Sequence, residues 1–137
     1  AFNTHPLFNH LLGYAWKLEW QPKKGFHCHF IFFFDGHQCQ EDITKARLIS
    51  EMWAKAITGD QGHPWNCNLH AEQTYHYNAM GCIDYHDTAK QRGLFKLAKY
   101  LTKIDEYAAM LVNGRTFQTS RKPGSQDGPR RGRPRLY

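Results

Sequence analysis

The nine residues Phe26-His-Cys-His-Phe-Ile-Phe-Phe-Phe34 restrict this chain more than any other part of it. So dense a run of aromatic and branched side chains suits a buried strand. Side chains alternate across a strand, so His27 and His29 share one face while Cys28 and Phe30 take the other. Leu11 to Trp20 before it, rich in Leu, Tyr and Trp, reads as a second strand. Gln21-Pro-Lys-Lys-Gly25 joins the two, and its Pro and Gly mark a tight connection. A β-hairpin follows, with 26–34 expected as a central strand covered on both sides, at least at its far end.

Beyond Asp35-Gly36, Ile43, Ala46, Ile49, Trp53 and Ala56 recur at helical spacing and predict a helix over about 41–58. A loop is expected to Asn68, then strands near 69–76 and 80–85. A second long helix over roughly 89–112 carries Leu94, Leu97, Ala98, Leu101, Ile104 and Ala108 on one face, and Asn113-Gly114 supplies its stop. The expected class is α+β, an antiparallel sheet with helices packed on it.

With 137 residues, 41% hydrophobic and 15% aromatic, the chain has apolar material for a core and reads as one domain over 1–120. Its net charge of +6 is uneven: 12 Lys+Arg against 11 Asp+Glu in residues 1–120 give +1, leaving +5 for residues 121–137. The end of the chain therefore reads as a basic, disordered arm. Cys28, Cys39, Cys67 and Cys82 form no C-x-x-C pair, which excludes zinc-ribbon and finger readings, and no basic leader with an apolar stretch is evident. The longest apolar run, Phe30 to Phe34, is too short to span a bilayer. A reduced, cytoplasmic protein without a membrane partner is expected.

The hairpin gives the two histidines a context. With the turn near Lys23 and Lys24, Glu19 lies almost opposite His27 and His29 and could be a third metal ligand; Asp84 and His86 are the next candidates. Two imidazoles and a carboxylate with open positions suit Mg²⁺, Mn²⁺ or a later transition metal that also takes a substrate oxygen. The bland alternative has both histidines facing solvent. On the second helix Lys96, Tyr100, Lys103 and Tyr107 form a stripe bordering the apolar face. The phenol of Tyr100 and the ammonium of Lys103 could there meet one ligand; alternatively Tyr100 is an amphipathic residue at a core margin. A nucleophile, a cation and a divalent-metal site together suggest phosphodiester chemistry.

These residues carry a family resemblance. Phe26 to Gly36 resembles the H-hydrophobic-H motif of HUH endonucleases, and Lys99-Tyr-Leu-Thr-Lys103 resembles their Y-x-x-K motif. More closely, Asp35-Gly36, the Trp53 helix ending in Ile-Thr-Gly, Asn66-Cys-Asn68, Gly81-x-Ile-Asp-Tyr-His-Asp87 and Gly114-Arg-Thr-Phe117 are similar to the inovirus gene II (YagK/YfjJ C-terminal) replication-protein family, over roughly residues 7–120. The resemblance implies an HUH palm with a ferredoxin-like central sheet, and a metal-dependent nickase of single-stranded DNA at replication origins, encoded by a phage, plasmid or integrated element. By the same carry-over His27, His29 and Glu19 are metal ligands for Mg or Mn, Tyr100 is the nucleophile and Lys103 its partner. Lys96 occupies the place of the second tyrosine of two-tyrosine members, so a one-tyrosine enzyme is expected. Lys96, Lys99, Arg121, Lys122, Arg130, Arg131 and Arg133 are expected to contact DNA, Trp65, Tyr75 and Tyr77 to stack bases, and a host helicase or polymerase is a further possible partner. The competing class is a non-catalytic DNA-binding module of the same fold. Phosphoesterases with paired H-x-[ST] motifs are excluded, since His63-Pro-Trp and His86-Asp-Thr do not repeat that pattern.

Overall fold

The computed structural model describes residues 4–103 and 105–121. Its framework is the hairpin of β1 (Leu11–Gln21) and β2 (Gly25–Phe34), joined by a turn in which Lys24 N–H donates to the Gln21 carbonyl at 3.2 Å. Gly25 closes the turn at φ +70°, a left-handed conformation in which a Cβ would be strained. A short third strand, β3 (Phe117–Thr119), pairs antiparallel with β1, so the order is β2-β1-β3. The central strand is therefore β1, a correction to the expectation that residues 26–34 lie at the centre. Among the described residues β1 is the sole sheet neighbour of β2.

Four helices accompany the sheet: α1 (Asp42–Met52), α2 (Ala71–Thr74), α3 (Thr88–Leu101) and α4 (Glu106–Leu111). The helix expected over 41–58 is present as α1 plus a wider π-type stretch, Trp53–Ile57. Trp53 meets Phe30 edge-on at 4.9 Å, Phe30 stacks on Phe32 at 5.6 Å, and Phe8 closes over Phe32 at 5.7 Å. The apolar β2 face opposite the histidines is thus filled. The core is nevertheless small: among the described residues Phe8, Ala71, Leu101 and Ala108 are the buried apolar ones, while Trp65, Phe95 and Met110 are 63%, 74% and 82% exposed.

Two expected elements do not form. The strands at 69–76 and 80–85 are replaced by α2 and a chain of turns. Asn78 Oδ1 accepts from Met80 N and Asp84 Oδ1 from His86 N, so short polar side chains take the backbone donors that a strand would use. The single helix expected over 89–112 is two. Thr102 caps α3, its hydroxyl donating to the Lys99 carbonyl, and Asp105 starts α4 by accepting from Ala108 N at 2.9 Å. Helix α3 is seated by Gly93, where a Cβ would come within 3.1 Å of the Asn78 carbonyl oxygen. Among the described residues no helix is long and apolar enough to cross a membrane.

Candidate metal centre and its tyrosine

Antiparallel register sets the site. Glu19 pairs with His27 and Lys17 with His29, so alternation puts all four side chains on one face of the hairpin, opposite the Phe30–Trp53 packing. Helix α3 brings its last turn to this face. The buried Leu101 fixes its last turn, and Tyr100 beside it reaches the strand face, its ring edge-on to His29 at 5.7 Å and 89°.

Three groups converge on one atom. Glu19 Oε2 lies 3.1 Å from His27 Nε2, 3.0 Å from His29 Nε2 and 3.1 Å from the Tyr100 hydroxyl, which donates to it. The other oxygen, Oε1, is held by Lys17 Nζ at 2.6 Å. That ammonium also lies 5.0 Å from the centre of the Tyr100 ring, within cation–π range.

This donor set fits a divalent ion. One ligand atom from each of Glu19, His27 and His29 lies within 4.8 Å of the others. Neighbouring ligands at about 2.1 Å from an octahedral ion stand roughly 3 Å apart, which matches the 3.0 and 3.1 Å separations here. The tautomer of His27 makes the same point. Its Nδ1 faces the Gly25 carbonyl at 3.3 Å and its Nε2 the Glu19 carboxylate at 3.1 Å; both oxygens can only accept, and a neutral ring has one proton to give. With that proton on Nδ1, Nε2 turns a lone pair toward the Glu19 carboxylate. Two acceptors at that distance need a cation between them, a proton or a metal ion. Nδ1 donating to a backbone carbonyl is also the usual arrangement behind a ligating imidazole.

The electrostatics follow from the contacts. Burial alone pushes the Glu19 carboxyl up, but hydrogen bonds from Lys17, Tyr100 and His29 outweigh it and hold the group at about 2. Tyr100 moves the other way, pushed up to about 12 by burial and by its bond to the Glu19 carboxylate, with Asp105 adding a smaller push. The site thus keeps the acid charged and the phenol protonated at neutral pH. Cys28, on the opposite face, is pushed up to about 11 by burial and is no ligand here.

The other sequence candidates fall in several places. Lys103 follows the end of α3, its N–H donating to the Tyr100 carbonyl at 3.2 Å, and its ammonium has no hydrogen bond or ion pair among the described residues. The expected stripe stops there, because Tyr107 belongs to α4 and packs on Trp20 at 6.1 Å. Lys96 Nζ sits over the Tyr77 ring at 3.1 Å, while Lys99 and Arg121 are exposed. Trp65 stacks on His70 at 4.3 Å, and the Tyr75 hydroxyl donates to Cys67 Sγ. Asp84 and His86 are engaged in their own turn, away from the three-ligand group. Lys122, Arg130, Arg131 and Arg133 lie outside the described residues. Sequence reasoning missed Lys17, although alternation from Glu19 points to it, and Asp105, whose second carboxylate oxygen accepts from Trp20 N at 3.1 Å.

An α+β fold with a histidine-histidine-carboxylate group beneath a tyrosine defines the class of protein. Within that class, a family model described as the YagK/YfjJ C-terminal domain matches residues 1–118, and the chain belongs to that family. Neither the curated proteins nor the solved structures contain a match to it.

Proposed function

We propose that this protein is an HUH-type, single-tyrosine endonuclease that nicks and rejoins single-stranded DNA at a replication origin. The observation that carries the reading is the meeting of the Tyr100 hydroxyl with both histidine Nε2 atoms at one carboxylate oxygen. A phenol beside three hard-ion ligands is what in-line attack on a phosphodiester requires. His27, His29 and Glu19 would hold Mg²⁺ or Mn²⁺, and such an ion supplies Lewis-acid polarisation of a non-bridging phosphate oxygen. Tyr100 Oη joins phosphorus and the bond to the 3′-oxygen breaks; that oxygen takes up a proton as the phenol gives one up, leaving a 5′-phosphotyrosine and a 3′-OH. Lys17 Nζ lies 5.0 Å from the centre of the Tyr100 ring, and a positive charge there favours negative charge developing on the phenol oxygen; Lys103, three residues on, would supply a second cation to the phosphate. The exposed Lys99 and Arg121, with the basic residues 122–137, suit a phosphate backbone.

The test is adduct formation. Labelled single-stranded oligonucleotides tiled across the encoding replicon are incubated with the protein and Mn²⁺, then run on a denaturing gel. A shifted protein-DNA band, absent with Tyr100→Phe and mapping to the Tyr100 peptide, is the expected result. Absence of any adduct with any strand or metal would leave only a DNA-binding module.

A further inference from the structure

We propose that Lys17 is a positioning residue that makes Glu19 a one-oxygen metal ligand and so sets which size of ion the site prefers. The inference rests on the metal-centre reading above. Lys17 is 5% and Glu19 8% exposed, and lysine is almost never so buried unless paired. A lysine on a strand face ordinarily runs its stem along the surface and leaves the ammonium in water. Here the ammonium turns inward and takes Oε1 at 2.6 Å, while Oε2 alone is turned to His27, His29 and Tyr100.

The geometry has a consequence for coordination. A carboxylate chelates through both oxygens only if both are available, and Glu19 can free Oε1 only by leaving a buried ammonium unpaired. That is costly. Ca²⁺ takes 6–8 oxygens at 2.3–2.6 Å and readily uses both oxygens of a carboxylate, whereas Mg²⁺ and similar small ions are satisfied by single oxygens in an octahedron. Holding Oε1 therefore selects against the larger ion. The ammonium on Oε1 also opposes a cation bound to the other oxygen of the same carboxylate, which weakens binding of any ion there.

Lys17→Met, which keeps the stem and removes the charge, tests this together with Lys17→Arg, which keeps a donor on Oε1. Mn²⁺ and Ca²⁺ are each titrated by calorimetry into wild type and both variants, without DNA. In Lys17→Met both ions should bind more tightly, and the Ca²⁺-to-Mn²⁺ affinity ratio should rise by about tenfold, the effect of roughly one added ligand contact. Lys17→Arg should keep the wild-type ratio. If Lys17 merely supported the fold, Lys17→Met would bind both ions more weakly at an unchanged ratio, and that result overturns the proposal. Should Lys17→Met not fold, infrared difference spectra of Mn²⁺-loaded wild type against Glu19→Gln still decide the matter: the carboxylate stretches of Glu19 should split widely, as for one-oxygen coordination, and a narrow chelate splitting overturns it. Wild type that binds neither ion removes the metal centre itself, and this inference with it.

Discussion

Tyr100 and Glu19 stand 81 residues apart in the chain, yet the phenol of one donates a 3.1 Å hydrogen bond to the carboxylate of the other. The bond joins the end of a helix to the turn-proximal part of a hairpin. It also ties the Tyr100 hydroxyl to the oxygen shared by both histidines, so the phenol and the three candidate ligands meet at one point.

Alanine at His27, His29 or Glu19 should cut Mn²⁺ affinity severely. Losing an outer partner of a ligand costs about 10–100-fold, and losing a ligand costs at least that. Tyr100→Phe should keep Mn²⁺ binding and strengthen it modestly, since no ligand is removed and no phenol hydrogen bond to Oε2 has to be given up. Calorimetry checks each. Undiminished affinity in Glu19→Ala would place the third ligand elsewhere.

Two groups at the site should be visible by pH. Tyr100 titrates at about 12 in the metal-free protein, above its ordinary 10. Its hydroxyl bond thus stabilises the fold fully below about pH 10 and is lost as the pH rises through about 12. Glu19, lowered from 4.5 to about 2, contributes stability above pH 4.5 that is lost as the pH falls through about 2. Phenolate absorbance of wild type minus Tyr100→Phe should isolate one late step, because Tyr75 also titrates at about 12 and cancels in the difference. Adding Mn²⁺ should bring that step down, since an ion on Oε2 displaces the phenol from its acceptor. Glu19→Gln should flatten the acid limb of the urea-denaturation profile.

Leu101→Ala should destabilise by about 2–3 kcal/mol, the low end for a buried leucine because few fully buried neighbours surround it. Tyr107→Ala, at a position 67% exposed, should cost little. Urea midpoints at equal slope measure both. Leu101→Ala should also loosen Tyr100, so its adduct yield should fall while Tyr107→Ala keeps its yield.

Deleting residues 122–137 removes Lys122, Arg130, Arg131, Arg133 and Arg135. Each that touches phosphate should lower the slope of log affinity against log salt by about 0.7 on single-stranded DNA. Metal affinity should not change. An unaltered slope would make the arm a bystander.

The hairpin and its ligands were legible because they obey a period of two: the spacing of His27, His29 and Glu19 is local and needs only a turn to fix the register. Lys17 obeys the same period and went unread, since a lysine on a strand ordinarily points to water, and only the third dimension reveals that it turns inward. The break between α3 and α4 was hidden by an apolar stripe running on through Ala108. The competing signal was Asp105, a helix starter that proved stronger than periodicity. Strand β3, at three residues, is too short for any period to register. Residues 69–76 and 80–85 read as strands because Tyr75 and Tyr85 weigh toward β structure, yet 71–74 turn into α2 and, further on, Asn78 and Asp84 decide locally by capping backbone donors.

Asp105 holds the backbone of Trp20 with one carboxylate oxygen and that of Ala108 with the other. Trp20 adjoins Glu19, and Asp105 closely follows Tyr100, so the strand and the helix are registered to each other by a clamp outside the Glu19–His27–His29–Tyr100 cluster. Chemistry and architecture can thus be separated by mutation. Tyr100→Phe keeps the grip that aligns the two halves, so under the proposed function it would serve as a decoy for capturing uncut DNA and reading the strand it prefers.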